Sequence, residues 1–256
     1  MVILISKVRF SFLIFNSYIR KAIRLILSPV WLLDNKMTSV TRAILAANVQ
    51  HDTHWLDIGC GLKPYAACFD SAHYTGIDIE ISGRPSEMKV PDKYFDGVNI
   101  PYRDSEFDGI LCTQVLEHVM DLDLLLNECN RVLKMQGRFV ISVPFVYREH
   151  EQPYDYIRFT SFGLALALSR NGFQVSQSIK CLSAIETIAT VFSVYVSKNI
   201  GSKNRLLLVL TGFCLIWPSL IFSKQLAKIL PDDNDLFCVL ISSAIKTTNQ
   251  KTVKCT

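Results

Sequence analysis

Trp55-Leu56-Asp57-Ile58-Gly59-Cys60-Gly61 and Tyr74-Thr75-Gly76-Ile77-Asp78-Ile79-Glu80 decide the fold. The first stretch is an apolar strand that runs into an Asp-x-Gly-x-Gly turn. The second is another apolar strand, ending on a carboxylate about 20 residues after the first glycine. Two parallel strands joined this way cradle an adenosine-containing ligand at the carboxyl edge of a sheet.

The turn does not complete the dinucleotide fingerprint. That pattern needs a third glycine for close helix–strand packing and a helix N-terminus aimed at a pyrophosphate. Here Gly59-Cys60-Gly61-Leu62-Lys63-Pro64 places Pro64 where the third glycine belongs. A ligand without phosphates does not need the fingerprint. S-adenosylmethionine is such a ligand, an adenosine carrying a sulfonium and an amino-acid tail. Gly59 and Gly61 let the backbone come close to it. Asp57 is near enough to influence its ammonium end, and Asp78 can accept the ribose hydroxyls. A glycine turn in an ordinary α/β domain, with a core-edge aspartate, would give the same string.

Outward from this turn, strands and helices alternate. Thr38 to Ala47 reads as a helix, and strands are expected at 54–58, 74–79, 107–113, 138–143 and 173–179. The stretch with Gly83, Pro85 and Pro91, ending at Asp96-Gly97-Val98-Asn99-Ile100-Pro101, reads as loop. Leu122, Leu125, Leu126, Cys129, Val132 and Leu133 recur at helical spacing, with Gly137 as the helix cap. Thr160 starts a further helix that ends at Asn171-Gly172. Such alternation predicts a parallel sheet.

From about 54 to 180 the chain resembles a class I S-adenosylmethionine-dependent methyltransferase of the type 11-like group. The resemblance rests on Asp57 to Gly61, Asp78, Asp96 to Pro101, Phe107-Asp108-Gly109-Ile110, Gln114-Val115-Leu116-Glu117-His118-Val119, Arg131-Val132-Leu133-Lys134 and Gly137. It implies a Rossmann-like α/β fold with a mostly parallel seven-stranded sheet and helices on both faces. The cofactor implied is S-adenosyl-L-methionine. Asp57, Gly59, Cys60, Gly61, Asp78, Ile79, Asp96, Gly97 and Gln114 then form the donor site. Gly59 and Gly61 face the methionine part, Asp78 the ribose, Asp96 the adenine amino group with Gly97 beside the ring, and Gln114 the tail and sulfonium. The chain departs from the usual pattern at Lys63-Pro64 and at Lys134-Met135-Gln136-Gly137.

Acceptor residues should come from loops after the fourth and fifth strands. Glu117-His118 follows the fourth. It reads either as a weaker acid–base candidate through His118 or as a helix-start pair lining the donor pocket. Some related enzymes bind a divalent cation with acidic residues in this region. Without a second matched ligand set, no metal is expected. Arg148 to Thr160 follows the fifth strand and is dense in titratable and aromatic groups. His150 is the candidate base, since its ordinary pKa lies near neutrality. Tyr154, Asp155, Tyr156 and Arg158 are candidates for binding a polar or sugar-like acceptor. Alternatively, Asp155 and Arg158 form a structural pair that pins the loop. The string around His150 resembles one found in methyltransferases from surface-polysaccharide and lipid gene neighbourhoods.

Residues 181–230 form an apolar helical insertion before the last strand, expected at 236–246. Glu186, Thr190, Ser193 and Ser197 make one narrow polar stripe, and Leu206 to Phe222 carries no charge, with Gly212 and Pro218 interrupting it. A single membrane crossing would leave the last strand on the wrong side. A two-crossing hairpin would carry Lys198, Lys203 and Arg205 across, against the positive-inside tendency. A helical pair that packs on the domain and dips into one leaflet is therefore expected, or alternatively a homodimer interface.

Residues 1–36 form a separate N-terminal segment, and 37–256 the methyltransferase domain. Charges break the apolar run of residues 1–30, which excludes a signal peptide or a span and leaves a basic amphipathic helix. That helix either lies on an anionic membrane or packs on the domain. The net charge of +4 is scattered, so nucleic acid is not favoured as a partner. The eight cysteines include no C-x-x-C pair and read as thiols of a reducing compartment. The expected setting is the cytoplasm, with peripheral contact to the inner membrane face through 1–30 and 181–230. The expected acceptor is a small molecule, a glycan or a lipid-linked group. The alternative is a non-catalytic donor-binding protein that serves as a membrane- or partner-binding module.

Overall fold

The computed structural model of the chain describes residues 28–200, 205–231 and 234–248. The N-terminal amphipathic helix expected over 1–30 lies almost wholly outside them. The elements, in order, are α1 (Trp31–Asn48), β1 (His54–Ile58), β2 (His73–Ile79), β3 (Lys93–Phe95), β4 (Phe107–Thr113), α2 (Leu122–Val132), β5 (Leu133–Pro144), α3 (Ser161–Arg170) and β6 (Phe173–Cys181). They continue with α4 (Ala184–Asn199), α5 (Arg205–Thr211), a π turn (Gly212–Ile216), α6 (Trp217–Leu226) and β7 (Val239–Lys246).

Seven strands form one sheet in the order β3-β2-β1-β4-β5-β7-β6. β1 to β5 pair in parallel, and β7 runs antiparallel between β5 and β6. This is the mostly parallel, seven-stranded Rossmann-like sheet expected from the sequence. Every residue of β1 after His54 is buried, and β4 and β5 are nearly as apolar. Strands covered on both faces read as continuous apolar runs, which is why periodicity alone located them.

Two expectations need correction. Lys93–Phe95 lies in the stretch read as loop but pairs with Ile77–Ile79 as β3. Three largely exposed residues give too short a pattern to register. Gly137 is not a helix cap. α2 ends at Val132 and the chain enters β5 at once. Phe107 pairs with Leu133 and Gly109 with Arg138, so residues 134–137 bulge out of the ladder. A Cβ on Gly137 would sit 2.7 Å from Leu133 Cγ. The glycine closes the bulge.

Polar residues of the quoted motifs brace the sheet edge. Arg131 donates to the carbonyls of Ile100 and Tyr102 at 2.9 and 2.8 Å and pairs with Glu128 and Asp104, pinning the segment after β3 to α2. Lys134 pairs with Asp108 at 2.7 Å, and Asp108 also accepts from the His54 amide. Lys246, fully buried, donates to the carbonyls of Asn130 and Leu133 at 2.6 and 2.8 Å, where α2 leaves orphan acceptors.

The chain divides into two compact units. One contains Lys36–Leu182 and the residues from Leu236 on, and therefore the whole sheet. The other gathers the described residues up to Asn35 with Ser183–Asp235. In the second unit α4 opens with a capping box, Ser183 and Glu186 satisfying one another's backbone amides. The apolar helix does not break at Gly212 and Pro218. It absorbs a π turn at 212–216, and Pro218 falls in the first turn of α6, where no amide is needed. Leu206–Leu226 is long and apolar enough to cross a membrane, with 28% of its apolar 18-residue stretch buried. The polar stripe of α4 points inward. Thr190 and Ser193 are buried, and Ser193 Oγ meets Ser219 Oγ at 3.2 Å. Phe192, Tyr195, Phe213 and Phe222 are exposed instead.

Candidate active site

The carboxyl ends of β1, β2 and β4 open into a cavity of about 440 Å³. Its position follows from the turn after β1. Gly59 and Gly61 take φ of +68° and +50°, the left-handed region that β-carbons disfavour. The amides of Gly59 and Cys60 both donate to the Ile77 carbonyl, at 2.8 and 3.1 Å, folding the turn back on β2. A Cβ on Gly59 would lie 2.3 Å from Val115 Cγ2. The segment after β4 therefore seats directly on this glycine.

Gly59, Asp78, Ile79, Asp96, Gly97 and Gln114 line the cavity, as the sequence predicts for a donor site. Asp78 Oδ2 accepts from the Gly61 amide at 3.0 Å, and Oδ1 from the Ile79 amide at 2.8 Å. Asp96 holds its own loop, accepting from the amides of Val98 and Asn99 and from the Asn99 side chain. These bonds, led by the Asn99 side chain, keep its carboxyl below the usual range. Gln114, with φ of +55°, donates from Nε2 to Ser142 Oγ at 3.1 Å.

Asp57, Cys60 and Gly61 are not in the cavity wall. Asp57 is buried beneath the turn, with Oδ2 receiving the Tyr74 hydroxyl at 2.5 Å and Oδ1 unpartnered. Burial raises its carboxyl to about 7. The Cys60 thiol is buried and pushed up to about 12. It packs on Gly76, where a Cβ would lie 2.8 Å from its Sγ.

The other end of the cavity is built by His118 and Tyr154, joined by a 2.6 Å contact between His118 Nδ1 and the Tyr154 carbonyl. Asp155 and Arg158 do not face the cavity. Arg158 donates to both Asp155 oxygens at 2.5 and 2.6 Å and to the Arg148 carbonyl, the pinning arrangement given above as the alternative. Arg158 holds the Asp155 carboxyl well below its usual range. Tyr156 is exposed, and its amide donates to the Glu117 carbonyl.

The structure brings together three groups that the sequence separates. Glu117 Oε1 lies 3.9 Å from His118 Nε2 and 4.0 Å from His150 Nε2. Glu117 is fully buried, neither of its oxygens has a hydrogen-bond partner, and burial raises its carboxyl to about 8. Burial also holds the His150 imidazole below its ordinary value.

Sequence reasoning missed Ile81, Ser82 and Arg84, which also line the cavity. Arg84 pairs with Glu151, and a Cβ on Gly83 would overlap the Glu151 backbone. The segment after β2 thus packs against the loop after β5. Gly83 was the only sequence signal, a glycine set where another backbone passes.

Comparison with known proteins agrees with this geometry. Residues 56–141 match the family model described as a methyltransferase domain. An uncharacterized protein of Methanocaldococcus jannaschii is 32% identical over 89 residues, covering 34% of this chain and 39% of that protein. A ubiquinone biosynthesis O-methyltransferase of Xylella fastidiosa is 32% identical over 102 residues, covering 34% and 40%. The chain thus spans about two fifths of the length of these curated relatives. Among solved structures, phosphoethanolamine N-methyltransferase 2 of Haemonchus contortus, in complex with S-adenosyl-L-methionine, superposes with a TM-score of 0.51 at 17% identity over 82% of this chain and 53% of that one. By its sheet, its glycine turn and its matched segment, the chain has the Rossmann-like fold of the class I S-adenosylmethionine-dependent methyltransferases, and residues 56–141 are similar to a methyltransferase domain.

Proposed function

We propose that this protein transfers a methyl group from S-adenosylmethionine to a small-molecule, sugar-linked or lipid-linked acceptor. One observation carries the reading. A single cavity has the glycine turn, Asp78 and Asp96-Gly97 along one side and His118 and Tyr154 at its far end. The residues fit the donor. Gly59, Gly61 and Gly97 take left-handed conformations around the cavity, and Asp57 keeps one buried oxygen free beneath the turn.

When bound, S-adenosylmethionine supplies a methyl carbon on a positively charged sulfur. The protein's task is alignment, because the leaving thioether needs no stabilisation. Asp78 accepts from the ribose hydroxyls with lone pairs left by the Gly61 and Ile79 amides. Asp57 complements the ammonium group from below. Gln114, fixed by Ser142, orients the tail. The loop after β5 covers the acceptor, and His150 takes a proton where the acceptor is a hydroxyl.

The insertion supports a membrane-surface setting. Its helices place serine against serine between them and phenylalanine outward, the pattern of helices whose solvent is lipid. The expected site of action is therefore the inner face of the cytoplasmic membrane.

Incubating the purified protein with methyl-labelled donor and fractionated lysate tests the reading. Label in a lipid, glycan or small-molecule fraction identifies the acceptor. Binding of S-adenosylhomocysteine without transfer to any fraction favours the non-catalytic alternative.

A further inference from the structure

Glu117, His118 and His150 have the chemistry of a metal site. Each offers one ligand atom, and the three atoms lie within 4.8 Å of one another. Both Glu117 oxygens, fully buried, lack any hydrogen-bond donor. A buried carboxyl group with neither oxygen hydrogen-bonded is unusual and marks a place that a ligand can fill. No lysine or arginine reaches it among the described residues. His118 Nε2 is likewise buried and unpartnered.

The surroundings orient both imidazoles. His118 Nδ1 donates its proton to the Tyr154 carbonyl at 2.6 Å, which leaves the Nε2 lone pair on the Glu117 side. A metal-binding histidine gives its second nitrogen to a carbonyl or carboxylate in this way. His150 Nδ1 lies 3.2 Å from Asp155 Oδ2 without hydrogen-bonding to it, and its Nε2 lies 4.0 Å from Glu117 Oε1. Asp155 is fixed in turn by Arg158 and by the His150 amide. Glu117 is held by its backbone, whose carbonyl accepts from the Tyr156 and Ile157 amides.

We propose that Glu117, His118 and His150 bind a divalent cation of the zinc class, leaving open positions for an oxygen of the acceptor. Zinc ligands lie about 2.0–2.2 Å from the ion, which sets ligand atoms about 3.4 Å apart in a tetrahedron. The present separations need each side chain to close by about half an ångström. A mixed imidazole and carboxylate set suits zinc, iron or manganese rather than magnesium or calcium. Of the three ligands only His118 lies in the cavity wall, so an acceptor oxygen would reach the ion past His118.

The substrate class follows, resting on the methyl-transfer reading above. It is a hydroxyl-bearing acceptor. With His150 serving as a ligand in place of the base role given above, the acceptor's O–H bond breaks with the proton passing to solvent water. The oxygen's electron pair forms the O–CH₃ bond, while the S–CH₃ bond breaks and leaves its pair on sulfur. The cation changes no oxidation state.

The test uses the full chain stripped with chelator and titrated with Co²⁺ alone, followed by its visible absorption and by Zn²⁺ competition. One equivalent should bind saturably. Glu117→Gln and His150→Ala should each weaken binding at least tenfold, with thermal melting confirming that they fold. Unfolding of one variant leaves the other to decide, and wild-type titration stands apart from both. Absence of saturable binding by the wild type, or equal binding by the variants, overturns the site. Calorimetry with S-adenosylhomocysteine on the same samples separates the two readings. Metal without donor binding removes the methyltransferase assignment and leaves the metal site, and the reverse result does the opposite.

Discussion

The Tyr74 hydroxyl donates to Asp57 Oδ2 at 2.5 Å, directly beneath the turn that carries Gly59 and Gly61. It is the carboxylate's one side-chain donor, and burial still raises Asp57 to about 7. A buried acid with a raised pKa binds its proton more tightly folded than unfolded. Its contribution to stability is therefore lost as pH rises from the ordinary carboxylate range, near 4, to about 7. The donor-free protein should melt at progressively lower temperature across that window. Asp57→Asn should flatten the profile, as melting curves at stepped pH will show. Tyr74→Phe leaves the carboxylate without its donor and should cost about 1–3 kcal/mol.

Gly59→Ala should abolish measurable donor binding. The new methyl meets Val115 Cγ2 at 2.3 Å, and φ of +68° adds roughly 1–2 kcal/mol of strain. Adding Val115→Ala removes the overlap but not the strain, so the double variant should recover part of the affinity. Calorimetric titration with S-adenosylhomocysteine compares the three proteins. Full recovery would show that the conformation of Gly59 matters little.

Asp78→Ala should weaken donor binding by about 1–3 kcal/mol, through lost ribose bonds and a loosened Gly61 amide. An unchanged dissociation constant would remove Asp78 from the ribose site. His150→Ala, by contrast, should leave donor affinity intact and lower turnover of the labelled donor.

Arg84→Ala separates the loop after β2 from Glu151 in the loop after β5. The expected result is a raised KM for the acceptor with an unaltered donor dissociation constant. A change confined to kcat would argue that the pair has no part in closing over the acceptor.

Phe213→Ser combined with Phe222→Ser should reduce co-sedimentation with anionic vesicles while leaving donor affinity unchanged. Equal sedimentation of wild type and variant would count against a lipid-facing insertion.

The middle of the sheet was legible because β1, β4 and most of β5 are buried on both faces, and the glycine turn because only glycine tolerates its backbone. β3 was not legible, since Lys93–Phe95 is short and largely exposed. Gly137 looked like a cap because a glycine after an apolar helix ordinarily is one, and a bulge in the next strand gives the same string. In the site, Asp78 was placed from the strand end and Asp96 from the resemblance, and both line the cavity. Asp155 and Arg158 could not be told from ligands, because spacing alone does not show which way a salt bridge turns. Glu117, His118 and His150 were each noticed, but His150 is placed by a loop path that no periodicity encodes.

Cys181 is the register partner of Val239, and the Cys238 amide donates to the Cys181 carbonyl at 3.2 Å. The chain thus leaves the sheet and returns to it one rung away, between adjacent antiparallel strands that a short hairpin turn would join equally well. The insertion therefore enters and leaves at a single corner of the sheet. Replacing it with a tight turn should leave the strand register intact, so the pairing of the sheet does not depend on what the insertion contacts.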